Sequence, residues 1–396
     1  MKEIREILNA LAALRARGEP AALATIIRVA GSTYRRAGAR LLIRQDETTV
    51  GSISGGCLEG DVAEAAREVL RTGRARMMTY DLTADDDAVW GLGLGCNGKI
   101  EVFVEAVRPD AEPDVAALLQ ACIDDRRFAA LATVIASPSE TGRSGVGTRL
   151  FVPEEGRAAG SLGDAALDAR VTALARRQIA AGKTTTLPVD LPGGRGELFV
   201  EVITPPLPLL VCGAGHDVLP LVRQAHEQGW WVMVADSRPA FATRSRFPQA
   251  DEVFLVEDRD VGRAARIDRH TFVVVMTHNF LHDLEILRGL LGTPARYIGL
   301  LGPRARTDKL LAELERSGVA LDDTQRARLY GPVGLDTGAD SPEEIALSIL
   351  TEILAVHNGR ATASLRDRRG PIHEPAGAES VSAGLADAPG QPRLGA

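Results

Sequence analysis

The sequence predicts an α/β protein in which a duplicated α/β domain is followed by a second domain with a doubly wound parallel sheet. Three observations lead to this prediction. A segment that begins at Ala22 recurs in degenerate form from Ala130, a proline-rich joint occupies residues 204–209, and alternating strand and helix patterns follow that joint. The expected division is a first domain over 1–205, a second over 208–360 and a disordered tail over 361–396.

The first domain is predicted from the internal repeat. The segment from Ala22 reads ALATIIRVAGSTYRRAGARLLI and is echoed from Ala130 by ALATVIASPSETGRSGVGTRLFV. GSISGGCLEGDVAEA from Gly51 aligns in the same way with GSLGDAALDARVTAL from Gly160. Each copy has the pattern of a strand, a glycine-rich loop, a second strand, a Gly-Ser turn, an alanine-rich helix and a closing strand. The two copies span about 20–107 and 128–203.

Two cysteines distinguish the first copy from the second. Gly-Gly-Cys at 55–57 stands where the second copy has Asp-Ala-Ala, and Cys96 falls where the second copy has proline. Cys57 precedes a predicted helix, and a thiolate is favoured at a helix amino terminus. The alternative for both cysteines is a small buried hydrophobic residue. No CxxC pair indicates a disulfide framework or a structural zinc site, and Cys122 and Cys212 are expected to be packing residues.

Three arginines, Arg35, Arg36 and Arg40, form a basic group in the glycine-rich loop of the first copy. Guanidinium groups bind phosphate or carboxylate through paired hydrogen bonds. The group is therefore a candidate anion site, with a solvated surface turn as the alternative.

The second domain opens with a βαβ pattern that indicates a Rossmann-like sheet. The sequence from Leu209 gives a buried strand, a Gly-x-Gly turn, a helix and a second strand. Gly213 and Gly215 would let the backbone approach a phosphate at the helix start. Asp236 lies 21 residues after Gly215, where dinucleotide folds place the carboxylate that binds a ribose hydroxyl. Because Val218 replaces the third glycine of that fingerprint, a scaffold without a bound dinucleotide is the alternative.

His278 is predicted just past the carboxyl end of the fourth strand of this sheet, at the edge where open α/β sheets bind ligands. If the next helix starts early, His278, His282 and Asp283 could bind a metal ion. The alternative, which we favour, is a loop in which His278 or Asn279 caps that helix. We therefore predict no metal site.

The rest of the second domain follows from strand runs and capping residues. Strands are predicted at 252–256, 271–276 and 296–301, with helical segments between them. The last helix should begin at Pro342, with Ser341 as its N-cap and Glu344 completing a capping box.

Composition excludes several classes of protein. The 396 residues carry a net charge of −7 and include 3 Trp, 4 Tyr and 9 Phe, so the chain lacks both the positive charge and the stacking surface that nucleic-acid binding requires. Its apolar runs are far shorter than the ~20 residues of a membrane helix. The first residues have the pattern of an amphipathic packing helix rather than a signal peptide. We expect a cytoplasmic protein without membrane insertion.

Seven motifs occur in an order that resembles the xanthine dehydrogenase accessory factor family, XdhC/CoxI. They are GSTYRRAGARLLI, GSISGGCLEGDV, GLGLGCNGKIEVFVE, LLVCGAGH, VVVMTHN, YIGLLGPRART and GLDTGADSPEEIALSILTEILA. The resemblance covers residues 20–358, with departures at Tyr34, Asn97 and Asn279. It identifies Gly-Gly-Cys at 55–57 and His216 of the GAGH motif as family signatures.

The resemblance implies a chaperone without turnover of its own. Such a protein binds molybdenum cofactor, protects it, supports its sulfuration by a cysteine desulfurase and delivers it to the large subunit of an apo molybdenum hydroxylase of the xanthine, aldehyde or carbon monoxide dehydrogenase type. It also implies a homo-oligomer, such as a homodimer. Cys57 would be the reactive residue. The candidate cofactor-binding residues are Arg35, Arg36, Gly55, Gly56, Cys57, Cys96, Gly213, Gly215, His216, Asp236 and His278.

Two other interpretations remain at this point. An NAD(P)-dependent oxidoreductase would hold its nucleotide on the Rossmann-like domain and use Cys57 or His278 on a substrate. Against it stand Val218 and the lack of an acid and base pair that can be assigned from the sequence. An interaction scaffold with an inert second domain would leave the cysteines of the first repeat unexplained.

Overall fold

A computed structural model describes residues 2–31, 33–81, 98–110, 114–138 and 144–367. The described residues divide into two compact units, one from Glu3 to Pro205 and the other from Pro206 to Asp367. The first unit contains antiparallel sheets and the second a parallel sheet, so the predicted fold class is confirmed.

In the first unit, helix α1 (Lys2–Arg17) is followed by the elements of the first repeat. These elements are β1 (Ala21–Gly31), β2 (Arg40–Arg44), β3 (Thr49–Gly51), α2 (Glu59–Thr72), β4 (Arg76–Asp81) and β5 (Gly98–Val107). The strands form an antiparallel sheet in the order β3-β2-β1-β5-β4. Val62, Ala66 and Val69 of α2 pack on its apolar face, which gives this repeat a core of its own.

The second repeat forms a sheet with the same strand order, β8-β7-β6-β10-β9. Its elements, which follow helix α3 (Val115–Asp124), are β6 (Ala129–Ala136), β7 (Arg149–Pro153), β8 (Ala159–Gly160), α4 (Ala165–Ala181), β9 (Thr185–Leu191) and β10 (Gly194–Ile203). Helix α4 covers its sheet with Leu167, Val171 and Leu174, at the spacing of one helix face. The duplication is thus a duplication of topology as well as of sequence.

Strands β4 and β9 are present although the sequence pattern did not identify them. Both lie at a sheet edge. In β4 only Met78 and Tyr80 face the core, where they alternate with Thr79 and Asp81, and this alternation is too short to identify a strand. In β9 buried and less buried residues alternate throughout, but Pro188, which lacks an N–H and is tolerated at an edge, argues against a strand in the sequence.

The second unit is a parallel sheet with the order β13-β12-β11-β14-β15-β16. This is the strand order of a doubly wound dinucleotide fold. Its strands are β11 (Pro208–Cys212), β12 (Trp231–Asp236), β13 (Glu252–Leu255), β14 (Phe272–Val275), β15 (Tyr297–Leu300) and β16 (Leu329–Tyr330). Its helices are α5 (Val218–Glu227), α6 (Val261–Ala264), α7 (Phe280–Leu291), α8 (Arg304–Arg316), α9 (Asp323–Ala327) and α10 (Pro342–His357).

Strand β11 shows how this sheet is buried. Leu209 and Val211 belong to the apolar core on one face, whereas Leu210 and Cys212 belong to the core on the other. A strand covered on both faces is apolar throughout, which is why LLVC was recognisable in the sequence.

The last helix has the predicted cap. The Ser341 hydroxyl accepts a hydrogen bond from the Glu344 N–H, and the Glu344 side chain bonds back to the Ser341 N–H. Of the predicted tail, residues 361–367 are described and end in a short 3-10 turn (Leu365–Asp367), and residues 368–396 lie outside the described part.

Candidate functional site

Cys57 lies in a turn of residues 52–58, called here the Cys57 turn, between β3 and α2. Gly55 and Gly56 have φ angles of +84° and +119°, in the region that side-chain-bearing residues rarely adopt. The half-buried Cys57 thiol donates to the carbonyl oxygen of Ser54, with a sulfur to oxygen distance of 3.7 Å. The glycine pair is therefore what allows the chain to present a cysteine on an open turn.

The carboxylate of Glu59, the first residue of α2, holds this turn. Its Oε1 accepts from the Ser52 hydroxyl (2.9 Å) and from the N–H groups of Ile53 (3.2 Å) and Ser54 (3.0 Å). Its Oε2 accepts from the Ser54 hydroxyl and from the N–H groups of two further turn residues, Gly56 (3.0 Å) and Leu58 (3.2 Å). Burial raises the pKa of Glu59, but the hydrogen bonds from Ser54 and Ser52 outweigh it and hold that pKa at about 2.

The second repeat has an ordinary helix start at the same place. Short strands β3 and β8 end at Gly51 and Gly160, and six residues after each stand Cys57 and Ala166. Ala166 lies in the first turn of α4, whose N-cap Asp164 accepts from the Leu167 N–H at 2.8 Å. The same scaffold therefore exists without a cysteine and without the open turn.

The loop of residues 33–39, which carries Arg35 and Arg36, lies against the Cys57 turn. A Cβ on Gly55 would come within 3.3 Å of the Tyr34 ring, so that ring covers the turn. Arg35 forms an ion pair with Glu3 of α1, and the other oxygen of Glu3 accepts from the Ser52 N–H at 3.3 Å. Glu3 thus connects the predicted anion-binding loop to the turn.

The basic group is smaller than predicted. Arg36 is exposed beside Tyr34, whereas Arg40 is buried and pairs with Glu201. Arg40 lies at the start of β2, and its side chain faces the second repeat instead of the loop. Its inclusion in the anion-binding group was wrong.

The other cysteines divide as follows. Cys96 lies outside the described residues, so its role stays a prediction. Cys122 and Cys212 are 2% and 0% exposed, which confirms them as packing residues. Burial raises the pKa of both thiols, and at Cys212 the charges of Asp283 and Asp258 raise it further. Both therefore remain neutral thiols at physiological pH, unsuited to nucleophilic attack.

In the second unit, Gly213 and Gly215 form the predicted turn between β11 and α5. A Cβ on Gly213 would lie 2.7 Å from the carbonyl oxygen of Met276, so glycine is needed for the turn to pass beside β14. His216 follows as an exposed residue. Binding of a phosphate by this turn stays a prediction.

Asp236 is engaged within the chain. Its carboxylate accepts from the Ala214 N–H (2.8 Å) and from the backbone N–H (2.9 Å), Nε (2.8 Å) and Nη2 (2.7 Å) of Arg238. Burial raises the pKa of Asp236, yet the hydrogen bonds and charge of Arg238 outweigh it and keep that pKa below its usual range. Binding of a ribose hydroxyl by Asp236 stays a prediction.

His278 lies at the same edge of the sheet. It has a φ of +61°, unusual for a residue with a side chain, and its Nε2 lies 2.7 Å from Oδ2 of Asp217. Asp217 precedes α5 and makes no side-chain cap of that helix. The structure therefore brings His278 to the Gly-x-Gly turn, and the pairing with Asp217 was not predicted.

The metal alternative has no support in the geometry. His278 pairs with Asp217, His282 with Asp258, and the buried Asp283 with Arg306 at 2.6 Å. Within the described parts of the chain, no group of three His, Cys, Asp or Glu side chains could hold a metal ion. Asn279 is the N-cap of α7 and accepts from the N–H groups of the next turn, which confirms the capping alternative.

Sequence reasoning did not identify Glu59. A signal was available, because Ser52 and Glu59 recur in the second repeat as Ser161 and Asp168 at the same separation. In both repeats the acidic side chain accepts from the serine hydroxyl.

Comparison with known proteins places the chain in a family. A family model described as the XdhC and CoxI family matches residues 14–81 and 111–190, and one described as the XdhC Rossmann domain matches residues 209–353. A protein of Bacillus subtilis strain 168, named as a probable xanthine dehydrogenase subunit, is 33% identical over 336 residues, which cover 85% of this chain and 93% of that protein. This chain belongs to the XdhC and CoxI family.

Two further matches extend the XdhC/CoxI assignment. A solved structure from Bacillus halodurans, described as a xanthine dehydrogenase, superimposes with a TM-score of 0.70 at 32% identity and covers 90% of this chain and 97% of its own. The Escherichia coli K12 protein named molybdenum cofactor insertion chaperone PaoD is 23% identical over 340 residues, which cover 86% of this chain and 84% of PaoD. Among the described helices of this XdhC/CoxI protein, none has the length and apolarity needed to cross a membrane.

Proposed function

We propose that this chain is a molybdenum cofactor chaperone. It takes the cofactor as cargo, protects it, supports its sulfuration by a cysteine desulfurase, and inserts it into the large subunit of an apo molybdenum hydroxylase of the xanthine, aldehyde or carbon monoxide dehydrogenase type. Membership in the XdhC and CoxI family and the similarity to PaoD support the proposal.

The single observation that carries the proposal is the position of Cys57. A soft thiol suits contact with molybdenum or with the sulfur that is exchanged there. Cys57 lies on a turn that the second repeat lacks, and no atom of the described residues lies within 4 Å of the position that a Cβ on Gly56 would take. Among the described residues, the space next to the residue that precedes Cys57 is therefore open.

The phosphate tail of the cofactor requires a donor set as well. Backbone N–H groups or arginines supply such sets. Arg36 is exposed in the loop that covers the Cys57 turn, and Arg35 would have to leave Glu3 to take part. We assign the phosphate contact to this loop, with Arg35 and Arg36 as its candidate donors. Gly213, Gly215, His216, Asp236, His278 and the undescribed Cys96 stay predicted binding residues, and a homo-oligomer and a cytoplasmic location stay predictions.

The test is purification of the chain from cells that make molybdenum cofactor, followed by measurement of bound pterin, molybdenum and NAD. Cys57→Ala should lower pterin and molybdenum together while the thermal melting curve stays unchanged, because Ala166 occupies the equivalent position in the second repeat. Adding Ala166→Cys to that variant is the matched control and should not restore loading. Unchanged loading in Cys57→Ala would show that this cysteine has no role in binding the cofactor and only packs within the chain.

A second assay separates the chaperone from an oxidoreductase. The loaded chain should raise the activity of an apo molybdenum hydroxylase and should itself turn over no purine, aldehyde or hydroxy acid with NAD or NADP. Steady NADH production that His278→Ala abolishes and Cys57→Ala leaves intact would favour the oxidoreductase instead. His278 has a carboxylate partner in Asp217, so this outcome has a definite acid and base pair to examine.

A further inference from the structure

The Cys57 turn is built from residues that are helical in the second repeat. Counted from Gly51 and Gly160, the segment 56–58 corresponds to 165–167, the first three residues of α4. In the first repeat the helix starts three positions later, at Glu59. The N–H groups at a helix start have no partner within the helix, so in each repeat the N–H groups of this segment need an acceptor from a side chain.

Glu59 and Asp168 are equivalent, and part of their bonding is shared. Each accepts from a serine hydroxyl and from the next backbone N–H, which belongs to Ile53 in the first repeat and to Leu162 in the second. The two distances at Asp168 are both 2.7 Å. This shared part anchors the Gly-Ser turn after the short strand in both copies, so it belongs to the scaffold.

The remaining hydrogen bonds to Glu59 all come from the part of the Cys57 turn that has no equivalent conformation in the second repeat. They come from the N–H and hydroxyl of Ser54 and from the N–H groups of Gly56 and Leu58. Among the described residues of the second repeat, no bond to Asp168 corresponds to these, and the Leu167 N–H donates to the N-cap Asp164 instead. The additional donors to Glu59 therefore belong to the Cys57 turn, which the second repeat lacks.

We infer that Glu59 is a positioning residue, whose carboxylate keeps residues 56–58 out of the helix and so presents the Cys57 thiol to its cargo. The inference rests on the proposed function for its cargo, but the ordering of the turn by Glu59 can be measured without any cofactor. A carboxylate suits this task because it is an acceptor only, with room for several donors.

The test compares Glu59→Gln with Asp168→Asn. Glutamine keeps the size of the side chain but replaces one oxygen by a donor, which must face N–H groups. In the cofactor-free protein we measure hydrogen exchange of the peptide that contains residues 52–58, and alkylation of Cys57 by iodoacetamide, located by mass spectrometry. Both should speed up about fivefold or more in Glu59→Gln, which corresponds to the loss of about one hydrogen bond. Asp168→Asn should leave both unchanged.

Rescue by a conservative variant distinguishes positioning from general stability. Glu59→Asp keeps the carboxylate on a shorter chain, as the second repeat does at Asp168, and should restore most of the slow alkylation. Thermal melting of each variant checks that the unit is folded. Cargo retention after purification from cofactor-producing cells should then follow the order of turn protection, with wild type above Glu59→Asp and Glu59→Gln lowest.

Three results are decisive against the inference. They are unchanged exchange and alkylation in Glu59→Gln, an equal increase in Asp168→Asn, and a loosened turn that retains cargo as well as wild type while Cys57→Ala does not. If instead Cys57→Ala itself retains cargo, the proposed function fails at this site. The exchange data would still show whether Glu59 orders the turn, so the two failures are distinguishable.

Discussion

Arg40 of the first repeat and Glu201 of the second form a buried ion pair across the interface between the two repeats. Arg40 Nη1 lies 2.7 Å from Glu201 Oε1, and Nη2 contacts the other oxygen. The two side chains are 9% and 6% exposed. Such a forked pair fixes both the distance and the orientation of the sheets that carry it.

The pair has a counterpart that is related by the duplication. Arg149 of the second repeat contacts Glu105 of the first, and Arg40 and Arg149 each open the second strand of their repeat. Burial raises the pKa of Glu105, although Arg149 and Arg40 act in the opposite direction. Each repeat therefore contributes one arginine and one glutamate, as in a two-fold symmetric dimer interface.

The first prediction concerns this interface. Glu201→Gln should lower the free energy of unfolding by about 3 kcal/mol, because it removes the carboxylate that is hydrogen-bonded to the buried Arg40 guanidinium. Replacing both partners, Arg40→Met with Glu201→Leu, should cost far less, because no charge is then left unpaired. Urea denaturation of both variants is the measurement. The exposed pair of Arg67 and Glu47 is the control, and Arg67→Ala should leave the midpoint where it is. Equal losses in the single and double variants at the interface would contradict the prediction.

The second prediction is a pH dependence from Glu59. Its pKa is about 2 in the folded chain and is depressed from the usual 4.5, so its contribution to stability is complete above pH 4.5 and is lost as the pH falls toward 2. Glu59→Gln should be less stable than wild type by about 1–2 kcal/mol at pH 7, which is less than the pKa shift alone would give because water screens the partly exposed carboxylate. The difference between the two proteins should shrink progressively below pH 4.5. Denaturation curves at several pH values between 3 and 7 measure it, and a constant difference would contradict the assignment.

The third prediction separates glycines that the backbone requires from one that it does not. Gly56→Ala should cost about 1–2 kcal/mol, since its φ of +119° is strained for any side chain even though the space around it is open. Gly60, in α2, has open space and no such φ, so Gly60→Ala should raise stability by up to about 1 kcal/mol. Thermal melts of the two variants should therefore shift in opposite directions.

The fourth prediction concerns the Gly-x-Gly turn. A Cβ on Gly213 would meet the Met276 backbone, so Gly213→Ala should lower stability markedly. At Gly215 the nearest atom belongs to the Asp217 side chain, which can move, so Gly215→Val should weaken anion binding more than it weakens the fold. Titration of phosphate and NAD into both proteins is the measurement. If the wild type binds neither, the second unit is a scaffold.

Local signals in the sequence determined most of the elements. The duplicated strands and helices, the buried parallel strands, the caps at Ser341 and Asn279 and the placement of Cys57 in a glycine turn were all predictable. Each depends on residues within a few positions of one another, through side-chain periodicity, capping and the conformational freedom of glycine. Comparison of the two repeats also indicated that the scaffold does not require Cys57, because the second repeat has Ala166 at the equivalent position.

The tertiary structure alone decided the partners of several charged side chains that are distant in sequence. Arg40 looked like part of a surface arginine group until Glu201, 161 positions away, was packed against it. His278 finds Asp217 across 61 positions, and Asp236 finds the Ala214 N–H across 22. Residue type fixes the charge and hydrogen-bonding capacity of these groups. Their partners depend on which strands and loops the fold brings within about 3 Å, a distance that sequence separation does not encode.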